Sequence, residues 1–306
     1  MRSTDHRLSV LGSAAAAAAL LAFQAGSPPA GAAQTREPRE RALWVSVVDE
    51  KGAPVGDLRP DEFVIREDGR RREAIRVEKA TEPIDLTLLV DTSQAMSPHM
   101  AFARPALKEL VTTLGPHASI ALVTFGDRPT IAVERTRTLT ALTRGVDRLH
   151  ATEGSGAYLV DAVWETLNGI RKREPARAVI AAVVTDGVEF TTLNADMVLA
   201  RLAETGARFD VFNVNETVST DLPDDPARER ARLISGGTAR SGGQRVDMVT
   251  NMALQSHITQ YATELLNQYR VIYVRPETLI PPERIDVAVS RPGLAVRATP
   301  VPIPRG

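Results

Sequence analysis

Two short acidic loops carry the residues of this chain whose types and spacing suit chemistry. The first reads Val90-Asp91-Thr92-Ser93-Gln94-Ala95-Met96 and the second Val184-Thr185-Asp186-Gly187. Each ends an apolar run, Ile84 to Val90 and Ala178 to Thr185, of the kind that makes a strand covered on both faces. Ligands of parallel α/β sheets bind beyond the carboxyl ends of the strands, so both loops are expected at the working edge. Carboxylates and hydroxyls gathered there are hard oxygen ligands, suited to Mg²⁺, Mn²⁺ or Ca²⁺ and poorly suited to zinc or copper. Gly187 permits the sharp turn that points Asp186 inward.

Other chemistries lose support residue by residue. The chain has no cysteine, which excludes disulfides, thiolate nucleophiles and Cys-ligated zinc. Lys+Arg 37 against Asp+Glu 38 leaves no net field to draw the protein onto nucleic acid, and aromatics at 4% give few platforms for stacking bases. No Gly-x-Ser-x-Gly elbow supports a serine hydrolase, and no Gly-x-x-x-x-Gly-Lys-Ser/Thr loop supports a nucleotide. Asp91 after a buried strand also suits phosphoryl transfer of the haloacid dehalogenase type. That chemistry wants a second acid two residues on, where Ser93 stands. His99, His117, His150 and His257 show no ligand spacing, Asp161 suits a helix cap, and Arg70-Arg71-Arg72 suits a solvated strand end.

The elements that must position these loops alternate along the chain. Helical spacing of apolar residues covers residues 100–114, 139–149, 158–171, 197–203, 227–234 and 248–268. Between them lie strand-like runs at Ser119 to Phe125, Thr130 to Val133 and Phe209 to Val214. The order predicts an α/β fold, a doubly wound, mostly parallel sheet with helices on both faces. The flanks differ. Ala42 to Val48, Phe63 to Glu67 and Arg72 to Val77 read as strands before the domain, and Tyr269 to Val274, Ile285 to Val289 and Leu294 to Ala298 after it. About forty residues hold a poor core alone, so the two flanks are expected to build one small β module together. The boundaries are then 34–82 for the first strands, 83–268 for the α/β domain and 269–306 for the last strands with a Pro-rich tail.

Residues 1–33 have the three-part layout of a secretory signal peptide: Arg2 and Arg7, an apolar stretch from Ala14 to Phe23, and small residues at Ala30 and Ala32. The stretch is short for about 30 Å of hydrocarbon. The expectation is an exported protein, periplasmic or secreted, with no membrane span once the leader is removed.

The ordered set of motifs resembles the von Willebrand factor A (vWA) family: strand, Asp91-Thr92-Ser93, a long amphipathic helix, Ser119 to Phe125, Asp161-Ala162, Thr185-Asp186-Gly187, and Gly236-Gly237 before the last helix. The flanks, with Asp61-Glu62-Phe63, Glu67-Asp68-Gly69 and Arg291-Pro292-Gly293-Leu294, look like those of a bacterial exported subgroup. The resemblance implies a non-catalytic module that binds a protein partner at a metal-ion-dependent adhesion site. There an Asp-x-Ser-x-Ser loop, a Thr and a second Asp hold a divalent cation, and the partner's acidic residue completes its shell. Asp91, Ser93 and Asp186 match that pattern. Ala95 stands at the second Ser and Ala157 at the Thr, with Ser155 the hydroxyl on offer if its loop bends differently. Gln94, Glu153 and Glu189 are expected on the rim a partner would touch. Methyl groups cannot coordinate, so cation binding is expected to be weaker than at a complete site, or absent. A metal-independent subunit of an envelope complex and a metal-dependent phosphatase or hydrolase are the alternative readings.

Overall fold

The computed structural model describes residues 39–214, 225–275, 282 and 284–301; the leader expected at residues 1–33 lies outside the described residues. In chain order the strands are β1 (Arg39–Val48), β2 (Phe63–Glu67), β3 (Arg70–Arg72), β4 (Ala74–Lys79), β5 (Ile84–Val90), β6 (Ala118–Thr124) and β7 (Thr130–Thr136). They continue with β8 (Ala178–Val184), β9 (Arg208–Asn213), β10 (Arg245–Asp247), β11 (Tyr269–Arg275), β12 (Ile285–Val289) and β13 (Ala295–Pro300). The helices are α1 (Met100–Leu114), α2 (Leu139–Asp147), α3 (Leu159–Arg173), α4 (Ala195–Thr205), α5 (Asp225–Ser241) and α6 (Ala253–Leu266).

The period-two alternation of a strand decides which side chain enters which layer. On β8, Val179, Ala181 and Val183 pack into one core with α1, α2 and α6. Ala178, Ile180, Ala182 and Val184 of the same strand pack into a second core with α3, α4 and α5. Every residue of β8 is therefore buried, which is why its sequence is an unbroken apolar run. The sheet order is β10-β9-β8-β5-β6-β7, parallel except for β7, which returns antiparallel along β6. β5 has β6 on one side and β8 on the other, both parallel to it. The winding reverses at β5, and the loops after β5 and β8 open side by side at the carboxyl edge, the usual place for a ligand.

The flanks join as their size required. β1 pairs antiparallel with β11, Leu43 opposite Val271, and with β13, Val47 opposite Val296. A second small sheet, β12-β2-β3, closes over it, and Leu43, Val45, Phe63, Ile65, Val271 and Tyr273 fill the core between. This module is tied to the domain by a buried charge cluster. Arg208 of β9 meets Asp210 at 2.8 Å, Glu264 of α6 at 2.8 Å and Ser46 of β1 at 3.0 Å.

Three details depart from the sequence pattern. The strand expected from Arg72 to Val77 breaks at Glu73: β3 stays with β2, while β4 leaves to pair with β11. Gly236 and Gly237 lie inside α5 rather than before a helix. A Cβ at Gly237 would sit 2.8 Å from the Phe209 ring and one at Gly236 3.1 Å from Leu199, so the pair lets α5 lie close on β9 and α4. The three-residue strand β10 carried no apolar signal of its own, because Arg245 and Asp247 are exposed.

Candidate functional site

The first loop leaves β5 with its pairing still intact: the Asp91 N–H donates to the Val183 carbonyl at 3.0 Å. The Asp91 carboxylate is fully buried. Its Oδ1 accepts from the Ser93 N–H at 2.7 Å, and its Oδ2 accepts from the Thr185 hydroxyl at 2.5 Å and the Thr185 N–H at 3.2 Å. Three donors hold a charge that would be costly to bury alone. Ser93 is also fully buried, and its hydroxyl has no partner. The Thr92 hydroxyl accepts from the Gly126 N–H at 3.1 Å, and a Cβ at Gly126 would lie 2.1 Å from the Thr92 carbonyl carbon. Only glycine fits there.

The second loop is sewn onto the first. Thr152 N–H donates to the Thr92 carbonyl at 2.8 Å, Gln94 N–H to the Ser155 carbonyl at 3.2 Å, and Gly154 N–H to Gln94 Oε1 at 2.9 Å. The Ser155 hydroxyl donates to the Thr152 carbonyl at 2.9 Å, so it closes its own turn. Glu153 at the tip is exposed.

The third loop is sewn onto the second. Ala157 N–H donates to the Val188 carbonyl at 2.6 Å, and Phe190 N–H donates back to the Ala157 carbonyl at 2.9 Å. Gly156 lies under the Phe190 ring, which a Cβ there would meet at 2.1 Å; the Tyr158 ring stands 5.9 Å from it. From below, the Arg230 guanidinium of α5 donates to the Gly187 carbonyl at 2.9 Å and to the Thr185 carbonyl. The result is one rim built from three loops. Asp186 is exposed on it, and so are Val188 at 59% and Phe190 at 50%.

Glu189 lies beneath this rim rather than on it, at 3% exposure. Its position between apolar Val188 and Phe190 alternates the side chains, sending the two neighbours out and the carboxyl in. Glu189 Oε1 accepts from the Val160 N–H at 3.3 Å, at the start of α3. Burial pushes its carboxyl up to about 7, against the lowering effect of Arg230 and of the backbone donors at Val160 and Leu159.

The structure thus brings Asp91, Ser93, Gln94, Ser155 and Asp186 to one edge, in unequal roles. Asp91 and Ser93 are buried, Ser155 is turned to its own loop, and Asp186 is exposed. The direct contact from the third loop to Asp91 comes from Thr185. That residue was visible in its motif, but its type gave no hint that it would hold Asp91. Arg230 was missed as well, although its spacing with Leu233, Ile234 and Gly237 places it on the buried face of α5.

The donor set does not fit a Mg²⁺-type ion, which wants six oxygens in near-octahedral array. Ser93 supplies one unpartnered hydroxyl, but the Ala95 methyl fills the second serine position, 3.2 Å from where a Cβ of Gly187 would be. Ala157 is wholly buried and presents a methyl in the threonine position. Among the described residues no group of three or more His, Asp or Glu side chains is placed to hold a metal.

Residues 86–189 match the family profile of the von Willebrand factor type A domain. This stretch of the chain, from β5 through the third loop, is a von Willebrand factor type A domain. No curated protein matches the chain. Among solved structures the chain is similar to a von Willebrand factor type A protein from Catenulispora acidiphila, at 12% identity over 87% of this chain and 74% of that one, with a TM-score of 0.48. It is similar to the conserved hypothetical protein BatB from Bacteroides thetaiotaomicron, at 16% identity over 60% of this chain and 98% of that one, TM-score 0.46. It is also similar to manganese-loaded TRAP protein from Plasmodium vivax, at 15% identity, 71% and 82% coverage and TM-score 0.44. Among the described residues no helix is long and apolar enough to cross a membrane.

Proposed function

We propose that this chain is an exported, non-catalytic interaction protein whose three-loop rim docks a protein partner at a degenerate metal-ion-dependent adhesion site. One observation carries the reading. Loops from three distant parts of the sequence are fastened to one another by main-chain hydrogen bonds into a preformed edge, with Val188 and Phe190 exposed on it. A preformed surface loses little entropy on binding, and exposed aromatic side chains are the usual anchors of interfaces. Gln94, Glu153 and Asp186 supply a polar border to that apolar patch. Methyl groups at Ala95 and Ala157 remove the ligands by which a bridging cation would be held, so docking proceeds through direct contacts. The signal-peptide layout of residues 1–33 supports export.

The test is a pulldown from envelope extract with the wild type and with Phe190→Ser, each in EDTA and in Mg²⁺. A partner is expected to be retained equally under both conditions and lost with Phe190→Ser. Retention of the same partner by Phe190→Ser would move docking away from the rim. Retention only in Mg²⁺ would restore the cation.

A further inference from the structure

A cleft of about 290 Å³ opens between the β module and the α/β domain. One wall is a face of α6, where His257, Gln260, Tyr261 and Glu264 follow one another at helical spacing. Gln244 and Val246, just before and on β10, form a second wall, and Val48 with the turn from Asp49 to Gly52 forms a third. Gln244 stands at the entry of β10, which runs parallel to β9, so the cleft lies at the opposite end of the strand from the rim. Bonds within the chain fix these walls. Asp49 Oδ1 accepts from the N–H groups of Lys51 at 2.9 Å and Ala53 at 2.8 Å, which holds the turn. The Gln244 N–H donates to Asp210 at 2.9 Å, and its carbonyl accepts from the Val211 N–H at 2.8 Å. At the floor, Glu264 is gripped by Arg208 at 2.8 Å and by Arg297 at 3.2 Å. By contrast, among the described residues nothing hydrogen-bonds the side chains of Glu50, Lys51, Gln244, His257 or Gln260. A fixed frame thus presents polar groups that the fold itself does not use.

The chemistry of the lining selects the ligand. The carboxylates of Asp49, Glu50 and Glu264 are answered by Lys51, Arg297 and, beneath them, Arg208, so neither sign of ion is favoured. What remains is a set of planar carboxylate, amide and guanidinium groups, each with two polar atoms side by side. That arrangement pairs with two neighbouring hydroxyls, and the amides of Gln244 and Gln260 both donate and accept, as hydroxyls do. Val48, Val246 and the Tyr261 ring supply an apolar wall for a C–H face. We propose that this cleft binds a saccharide, with one sugar ring held between α6 and the turn from Asp49 to Gly52. Gln244 and Gln260 take neighbouring hydroxyls inside the cleft, and Glu50 and Lys51 reach the ring from the mouth. The volume sits at the lower limit of small-molecule pockets, roughly 300 Å³, which suits a single ring. The site is separate from the rim and does not depend on what docks there.

Saturation-transfer NMR on the full chain tests this with glucose, galactose, mannose and N-acetylglucosamine at millimolar concentration, and with glycine and inorganic phosphate as zwitterion and anion probes. At least one sugar is expected to receive saturation. Gln244→Ala and Gln260→Ala are each expected to weaken its binding by about tenfold. Both variants are expected to melt with the wild type, since neither side chain has a partner among the described residues, and Phe190→Ser on the rim is expected to leave sugar binding unchanged. Silence from every sugar, or binding undiminished in both glutamine variants, overturns the proposal. Loss of sugar binding in Phe190→Ser, or binding of glycine or phosphate in place of the sugars, overturns it as well. Should either alanine variant melt early, Gln260→Trp fills the cleft from an exposed position, and sugar binding that survives it overturns the proposal.

Discussion

The Thr185 hydroxyl donates to the buried Asp91 carboxylate at 2.5 Å, and this bond fastens the loop after β8 to the loop after β5. Two neighbouring parallel strands thus end in loops that share one charge. The Asp91 oxygens that the family pattern would turn toward a cation shell are engaged by donors of the chain itself. Everything on the rim stands on that arrangement.

Thr185→Val removes the hydroxyl while keeping the shape, and it leaves Asp91 with two backbone donors. A buried hydrogen bond to a charged group contributes about 1.5–3 kcal/mol. Urea unfolding is expected to show a loss of that size, with Thr185→Ser recovering most of it.

Gly126→Ala sets a methyl 2.1 Å from the Thr92 carbonyl carbon, a backbone atom that cannot move without the first loop. Overpacking of this kind costs about 1–3 kcal/mol. The measured melting temperature is expected to drop accordingly, whereas Gly154→Ala, where a Cβ meets nothing, is expected to show only the strain of its positive φ of 73°.

The fold was legible in the sequence because strands covered on both faces have no polar residue to blur them. Ile84 to Val90 and Ala178 to Val184 are of this kind, and with the helices between them they fixed the winding and the working edge. The placement of Asp91 and Ser93 at the carboxyl edge was legible because a carboxylate directly after such a strand has only one place to be. The rest needed tertiary contacts. Glu189 read as a rim acid because composition cannot tell an outward from an inward side chain when a single acid stands between two apolar residues. Arg230 carried no motif that marked it, although it serves carbonyls of a loop more than forty positions away. The break at Glu73 depends on β11, which arrives from the far end of the chain.

Two acids give opposite pH signatures. Glu189 has its folded value raised from 4.5 to about 7, so the native state binds the proton more tightly than the unfolded chain. Its contribution is complete below the unfolded value and is lost as pH rises through about 7. Relative to Glu189→Gln, the wild type is therefore expected to lose stability between those limits in chemical-denaturation curves recorded across pH.

Glu264 behaves in the other sense. Burial works to raise it, but Arg208 and Arg297 overcome burial and hold it at about 2, below its ordinary 4.5. Its contribution is present above the ordinary value and lost as pH falls toward about 2. Acid titration followed by near-ultraviolet circular dichroism is expected to show the β module and the domain losing their tertiary signal together in that window, since Glu264 binds Arg208 of β9 and Arg297 of β13.

Calorimetry with Mg²⁺, Mn²⁺ and Ca²⁺ is expected to give equal, featureless heats for the wild type and Asp91→Ala. Restoring the missing hydroxyls with Ala95→Ser and Ala157→Thr is expected to create Mn²⁺ binding that Asp91→Ala abolishes, because the unpartnered Ser93 hydroxyl already stands next to Asp91.

We propose that a partner docks on the three-loop rim without a cation. The most direct measurement places a photo-crosslinking amino acid at Gln94 and, as a control, at Arg71 on the β module, and irradiates native envelope extract in EDTA and in Mg²⁺. One partner is expected to be captured from position 94 to the same extent in both conditions. Capture from position 71 alone, or capture from position 94 only when Mg²⁺ is present, would contradict it.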